Sequence, residues 1–241
     1  MANTLYLIPT PLGPSPLTAI LPTEVIEQIR PLTHFIAENA KTARAFLKQV
    51  KTILPLQQLH IQELNEHTPT VALKELLIPL LTGHDVGLLS EAGCPAIADP
   101  GAPLVRLAHQ QGITVRPLVG PSSIVLALMA SGLIGQRFAF HGYLPAKPEA
   151  RIATLKELER RSEKEDSAQI FIETPYRNQA VLDAIRRACH PNTLCALACD
   201  LTLPSEWIRT TPVAEIESGL PNLNKRPCVF ILYRSQPLMC S

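Results

Sequence analysis

The sequence predicts an α/β protein of two domains, and three observations carry that expectation. Short apolar runs rich in leucine and β-formers alternate with longer stretches of helical periodicity. Many of the runs end in loops dense in proline, glycine and small residues, as strands do where parallel sheets present their carboxyl ends. The chain has 241 residues, 46% of them hydrophobic, which suits two compact domains of ordinary size or one large one, either with a sizeable core.

Taken in chain order, strands are expected at residues 5–8, 34–37, 86–90 and 115–118, then at 138–141, 169–173, 194–199 and 228–233. Residues 40–50 read as a helix because Ala43, Phe46, Leu47 and Val50 fall on one face, and 71–81 and 103–110 repeat the pattern. Residues 123–129 form an apolar helix after the loop 119–122. Strand, loop, helix and strand in succession argue for mostly parallel sheets. The first four strands suffice for one sheet, so the boundary is placed at residue 117, giving an N-terminal α/β domain over 1–117 and a C-terminal one over 118–241. The charge-dense stretch 156–166 holds both signs at helical spacing and reads as a solvated helix face.

Composition removes several classes. With 23 prolines, 11 glycines and so large an apolar fraction, the chain is neither disordered nor collagen-like. A net charge of +1 and 18% charged residues leave little room for a broad basic nucleic-acid surface, so any such site must be local. The six cysteines form no C-x-x-C pair and the start lacks a charged segment leading into a long apolar run, which favours reduced thiols in the cytosol. Cys195, Cys199 and His190 resemble half a metal site, but no second pair follows, and buried small apolar side chains are the stronger reading; no metal is expected. The longest apolar stretch, 124–133, is too short to span a membrane.

No G-x-G, no G-x-x-x-x-G-K-[ST] and no G-x-S-x-G occurs, which argues against dinucleotide-fold enzymes, the common nucleotide-fold methyltransferases, P-loop proteins and α/β-hydrolases. Four strand-end loops stand out instead: Pro9-Thr10-Pro11-Leu12-Gly13-Pro14, residues 90–101, Val119-Gly120-Pro121-Ser122-Ser123, and Glu173-Thr174-Pro175-Tyr176-Arg177. Any one of them is an ordinary turn, whereas four together suggest a rigid crevice. Glu91 suits a carboxylate accepting from sugar hydroxyls or an ammonium group, or equally a surface turn acid. Ser122 and Ser123 fit either an N-cap or a set of hydroxyl and N–H donors for a carboxylate.

These loops, with Leu5-Tyr6-Leu7-Ile8, Ala37-Glu38-Asn39, Gly142-Tyr143-Leu144-Pro145 and residues 227–232, resemble in order those of the tetrapyrrole-methylase class of S-adenosylmethionine-dependent methyltransferases. The resemblance covers almost the whole chain. It is nearest to the branch that methylates a cytidine ribose 2′-hydroxyl of small-subunit ribosomal RNA. It implies two α/β domains of the tetrapyrrole-methylase type with the S-adenosylmethionine cleft between them, a cytoplasmic homodimer, and ribosomal RNA or the small ribosomal subunit as partner. By position it implies that Leu12 and Gly13 line the cleft, that Glu91 and Gly93 meet the ribose or methionine part of the donor, and that Ser122 and Ser123 hold its polar end. The adenine is expected near Ile172, Glu173 and Cys228. Glu38 is the candidate catalytic base, although a helix N-terminal acid favoured by the dipole is the stronger reading of it. Lys41 is the candidate contact to a substrate phosphate.

Departures from that branch fall on presumed substrate positions. Asn39 and Glu91 stand where aspartate is usual, Pro14 stands where asparagine is common, the stretch 199–203 lacks its basic residues, and the chain stops soon after Tyr233. An RNA face would need Lys147, Arg151, Arg177, Arg186 and Arg187 gathered together. Methylation of a tetrapyrrole or other small planar molecule, or a non-catalytic protein that kept the fold, are the alternatives.

Overall fold

A computed structural model describes residues 3–235. They form two compact units that divide between Ser122 and Ser123. Leu118 stays with the first unit because it is buried there and its N–H donates to the Leu7 carbonyl at 2.9 Å.

The first unit runs β1 (Thr4–Ile8), α1 (Leu17–Ile20), α2 (Thr23–Ile29), β2 (His34–Ala37), α3 (Ala40–Val50), β3 (His60–Glu63), α4 (Leu73–Leu76), α5 (Ile78–Leu81), β4 (Val86–Leu89), α6 (Ala102–Gln110) and β5 (Thr114–Pro117). Its sheet has the order β3-β2-β4-β1-β5, and every pairing is parallel. Strand side chains alternate between two cores. Ile8, Phe35, Ala37 and Leu89 pack with α2 and α3, whereas Leu5, Ile36, Val86 and Leu88 pack with α4 and α6. A sheet covered on both faces explains why β4 is buried along its whole length. Gly87, inside β4, sits where a Cβ would lie 2.6 Å from the Ile8 side chain and 2.9 Å from Phe35, so only glycine lets the strands and Phe35 pack this closely.

The helix expected over 71–81 is broken. A 3₁₀ turn at Thr70–Ala72 precedes α4, and Pro79, which has no N–H to give, sits in the first turn of a separate α5. The strand β3 was not anticipated because its residues, His-Ile-Gln-Glu, occupy an edge and are largely exposed.

The second unit comprises α7 (Ser123–Ser131), β6 (Phe138–Tyr143), α8 (Pro148–Glu165), β7 (Ala168–Glu173), α9 (Asn178–Ala188), β8 (Leu194–Cys199), β9 (Trp207–Pro212) and β10 (Cys228–Tyr233). The expectation of mostly parallel sheets fails here. In the order β6-β7-β10-β8-β9 the β6–β7 pairing alone is parallel. The last strand inserts between β7 and β8 and runs against both, and a turn over 200–206 folds β9 back on β8. One face of the sheet carries Phe171 and Phe230, stacked with centroids 5.5 Å apart, and is covered by α8 and α9. The other face packs against α7, which is apolar around most of its circumference.

Candidate functional site

Parallel pairing puts the carboxyl ends of β2, β4, β1 and β5 side by side along one edge of the first sheet. Three of the four sequence-predicted loops leave from β1, β4 and β5, and short-range contacts lock them together. Thr10 and Gly93 form an antiparallel bridge, each N–H donating to the other's carbonyl at 2.9 and 3.0 Å. The Ser90 hydroxyl donates to the Gly93 carbonyl at 2.7 Å, and the Cys94 thiol donates to the Pro121 carbonyl at 3.3 Å. Gly120 faces Pro9 so closely that a Cβ there would lie 2.4 Å from the proline ring.

Gly93 is buried with φ of 80°, in the left-handed region where a side chain is strained. A Cβ on it would sit 3.3 Å from Leu12 and 3.7 Å from the Pro121 carbonyl, filling the point where the loops meet. Ala96 and Ala98 also have positive φ, 66° and 58°. Non-glycine residues so placed cost on the order of 1–3 kcal/mol each, which their surroundings must offset. Asp99 holds this loop: its Oδ1 accepts from the N–H groups of Ala96 and Gly101 at 2.9 and 2.8 Å.

The fourth strand end supplies Glu38 and Asn39. Asn39 caps α3, its Oδ1 accepting from the N–H groups of Lys41 and Thr42 at 2.8 and 3.4 Å. Capping places Thr42 so that its hydroxyl donates to Glu91 Oε1 at 2.5 Å, joining α3 to the loop after β4. A cavity of about 350 Å³ opens here, walled by Pro11, Leu12, Gly13, Phe46, Ser90 and Glu91. Its charge is one-signed. Partial burial raises the Glu38 carboxyl above the usual carboxylate range, and the carboxylates of Asp99, Glu91 and Glu66 raise it further. Asp99 is itself raised by burial against its two backbone hydrogen bonds.

Of the predicted residues, Leu12, Gly13 and Glu91 share this cavity, Gly93 lies under its loops, and Glu38 sits within electrostatic reach of Glu91. Lys41 is exposed on the first turn of α3. Ser122 is the last residue of the first unit, and Ser123 opens α7 in the second. The sequence reading missed Thr42, Phe46 and Asp99. Asp-Pro-Gly marked a turn, but nothing local showed that Thr42 would meet a carboxylate 49 residues away.

In the second unit the Glu173 carboxylate is used internally. Its Oε1 accepts from the Thr174 N–H at 2.7 Å and from Arg177 Nε and Nη2 at 2.9 and 2.5 Å. Three of the basic residues that an RNA face would need are also engaged internally. Arg151 is buried, donating to the carbonyls of Pro145, Ala146 and Ala180. Arg177 pairs with Glu173, and Arg186 pairs with Glu217. Among the described residues, no group of three or more His, Cys, Asp and Glu side chains is disposed to hold a metal, and no helix is long and apolar enough to cross a membrane.

A doubly covered parallel sheet with polar loops on one edge, followed by a mixed-sheet unit and lacking any G-x-G turn, sets the chain apart from dinucleotide-fold enzymes. The chain belongs to the family of Tetrapyrrole (Corrin/Porphyrin) Methylases, whose model matches residues 4–217. It is 31% identical over 231 residues to the Ribosomal RNA small subunit methyltransferase I of Xylella fastidiosa, covering 95% of this chain and 80% of the relative. It is 33% identical over 212 residues to the protein of that name from Escherichia coli O157:H7, covering 88% and 70%. The fold is similar to that of the methyltransferase CobJ, with a TM-score of 0.61 and 19% identity over 97% of this chain and 98% of that one. Cobalt precorrin-4 methyltransferase, CbiF, gives a TM-score of 0.63 and 14% identity over 95% and 94%.

The protein is an S-adenosylmethionine-dependent methyltransferase. The loops of the first unit suit that donor. Its sulfonium and ammonium groups are cationic; Glu91 places a carboxylate at the cavity, Glu38 lies within electrostatic reach of Glu91, and the missing Cβ of Gly93 keeps the meeting point of the loops open.

Proposed function

We propose that the enzyme methylates a ribose 2′-hydroxyl of small-subunit ribosomal RNA, in the cytoplasm and as a homodimer. The observation that carries this reading is identity of 31–33% along most of the chain with proteins named Ribosomal RNA small subunit methyltransferase I. In this reading Leu12, Gly13, Glu91 and Gly93 hold the donor, with Ser122 and Ser123 at its polar end, and Lys41 meets a substrate phosphate. S-adenosylmethionine supplies a methyl group already activated on a sulfonium. What remains for the protein is alignment, a contribution of up to about 7–11 kcal/mol in well-oriented systems, and removal of one proton. Glu38 takes that proton. Its carboxyl, raised by burial and by Asp99, Glu91 and Glu66, is a stronger base when ionised than an ordinary exposed carboxylate. Thr42 orients Glu91 from the other side of the cavity.

A second reading, methylation of a small planar molecule, is favoured by the apolar walls contributed by Pro11, Leu12 and Phe46 and by the loss of Arg151 and Arg177 from a phosphate-binding face. Mapping ribose methylation of ribosomal RNA with and without the gene separates the two. Loss of one methylated ribose in the deletion strain is expected, and an unchanged map would exclude a ribosomal RNA ribose as the acceptor. Calorimetry with S-adenosylhomocysteine tests the donor residues: Glu91→Ala and Gly93→Val are expected to weaken binding at least tenfold, and unaltered affinity in both would remove them from the site. The homodimer is supported by Val125 and Met129 of α7, which are 49% and 74% exposed in the single chain, and sedimentation at micromolar concentration checks it.

A further inference from the structure

The second unit holds two nucleophilic side chains that the methyl transfer does not use. Cys199 is the last residue of β8 and Cys228 the first of β10, and the antiparallel register sets them directly opposite each other. The Asp200 N–H donates to the Pro227 carbonyl at 3.0 Å, one residue beyond Cys199 and one before Cys228. That bond identifies the cysteines as a non-hydrogen-bonded pair, the type whose Cα atoms lie closest, at about 4.5 Å. Such a separation falls within the roughly 4.4–6.8 Å span that a disulfide bridges without backbone movement. Both thiols are buried in the same core, 0% and 4% exposed, and the Asn178 side-chain amide donates to the Cys228 sulfur at 3.5 Å.

The other described cysteines lack this arrangement. Cys195 faces Leu232 and Thr211 across its two ladders, Cys189 follows α9, and Cys94 belongs to the first unit. We infer that Cys199 and Cys228 are a redox-active dithiol that hydrogen peroxide closes into a cross-strand disulfide. The proximity of Cys228, and after it the charge of Arg226, lowers the Cys199 thiol below its ordinary range, while the proximity of Cys199 and burial raise Cys228. Cys199 is therefore the attacking sulfur and Cys228 the resolving one.

In the first step the Cys199 thiolate attacks one peroxide oxygen. The O–O bond breaks, an S–O bond forms, and the departing hydroxide recovers the thiol proton as water. In the second, the Cys228 sulfur attacks the sulfenic sulfur, the S–S bond forms, the S–O bond breaks, and the hydroxide released leaves with the Cys228 proton. Two thiols are oxidised, one peroxide is reduced, and two waters result.

Access comes through the weak end of the ladder. Pro227 has no N–H to return the Asp200 bond, Asp200 and Thr202 have positive φ of 50° and 70°, and the Thr202 hydroxyl is buried without a partner among the described residues. Local opening at such a strand end lies at the low-stability limit of native motion, and peroxide is small enough to use it. Closure ties the end of β8 to the start of β10, between the Glu173–Arg177 and Asp200–Arg226 ion pairs.

The test is peptide mapping of the intact protein after graded hydrogen peroxide, denaturation and alkylation. The expected result is loss of alkylation at Cys199 and Cys228 together, a linked peptide lighter by two hydrogens, and restoration of both thiols by dithiothreitol. Cys199→Ser and Cys228→Ser should each abolish the link, whereas Cys189→Ser and Cys195→Ser should retain it. The inference is overturned if both thiols of the wild-type protein stay fully alkylatable at doses that oxidise Cys94, or if the link joins a different pair. Because the decisive arm is the wild-type map, a serine variant that misfolds leaves the outcome intact.

Discussion

Glu38 directly follows β2 and Glu173 ends β7, yet the two halves of the chain treat these strand-end carboxylates in opposite ways. In the first unit the parallel sheet gathers strand ends on one edge, and Glu38 finds itself among the like charges of Asp99, Glu91 and Glu66. In the second, antiparallel neighbours bring chain in both directions to the same edge, and Glu173 is closed off by Arg177 one helical turn later. The difference teaches where reactivity is placed. Uncompensated carboxylates raise one another's proton affinity and leave a base for chemistry, whereas a paired carboxylate fixes structure.

The largest effect expected from breaking this contrast is on turnover. Glu38→Gln should lower kcat by about 10²- to 10⁴-fold, the usual contribution of a positioned general base. In the wild-type enzyme the rate should rise with pH through the raised Glu38 carboxyl, and the variant should lose that limb of the pH–rate profile. Stability should move the other way. A carboxyl raised in the folded state binds its proton more tightly there than in the unfolded chain, so the wild type loses stability as pH rises through that range and the glutamine variant does not. Glu173→Gln should leave the shape of the pH–rate profile unchanged.

Core truncation asks whether the two units are energetically separate. Phe35→Ala and Phe230→Ala each remove a fully buried ring and should cost about 3–5 kcal/mol. Trp207, the chain's single tryptophan, belongs to the second unit, so its fluorescence reports that unit's unfolding. Phe230→Ala should shift the fluorescence transition by the full amount, and Phe35→Ala should shift the circular-dichroism transition alone. Coincident shifts in both variants would show a single cooperative unit.

A smaller effect is expected at the cap of α3. Asn39→Ala removes an acceptor for two N–H groups and should cost about 1 kcal/mol, measured by denaturant unfolding. Asn39→Asp keeps the cap and restores the branch's usual residue. Its added negative charge should push the Glu38 carboxyl higher still and move the pH–rate limb upward.

How much of this was legible beforehand depended on whether a residue's role was local. The bounds of β2, α3, β8 and β10 follow from apolar runs and helical spacing within a dozen residues, and the structure agrees with them. The strands β3 and β9 lie at sheet edges, where one side of the ladder and much of the surface face water, so no dense apolar run marks them. The antiparallel placing of β10 was invisible for a different reason. A buried central strand reads the same in either direction, and only the long-range register fixes it. At the site, loop composition marked the segments that hold Gly13, Glu91 and Gly93, and the family resemblance singled out these residues and Leu12. The Thr42–Glu91 hydrogen bond, the Thr10–Gly93 bridge and the burial of Arg151 each join segments far apart in sequence, and no spacing rule encodes them.

The opposite edge of the first sheet offers the smallest and most local test. His34 begins β2 and His60 begins β3, and their rings stack with centroids 4.6 Å apart and planes at 15°. His84, two residues ahead of β4, lies against His34 at 4.4 Å, and the Thr33 hydroxyl is 2.9 Å from His34 Nδ1. Asp85, next to His84, accepts from the Thr4 N–H at 2.7 Å. Burial lowers His34 below its ordinary value of 6.5, and the neighbouring charges of His84 and His60 lower it further. The folded chain therefore takes up this proton less readily than the unfolded one. Its stability is complete above that value and declines as pH falls through it toward the lowered folded value, because there the unfolded state binds more protons. Urea midpoints between pH 7.5 and 5 should show the decline in the circular-dichroism transition, and His34→Phe should flatten it while keeping a ring in the stack. A decline of equal size in the variant would assign the pH dependence to other groups and leave the histidine stack without an electrostatic role.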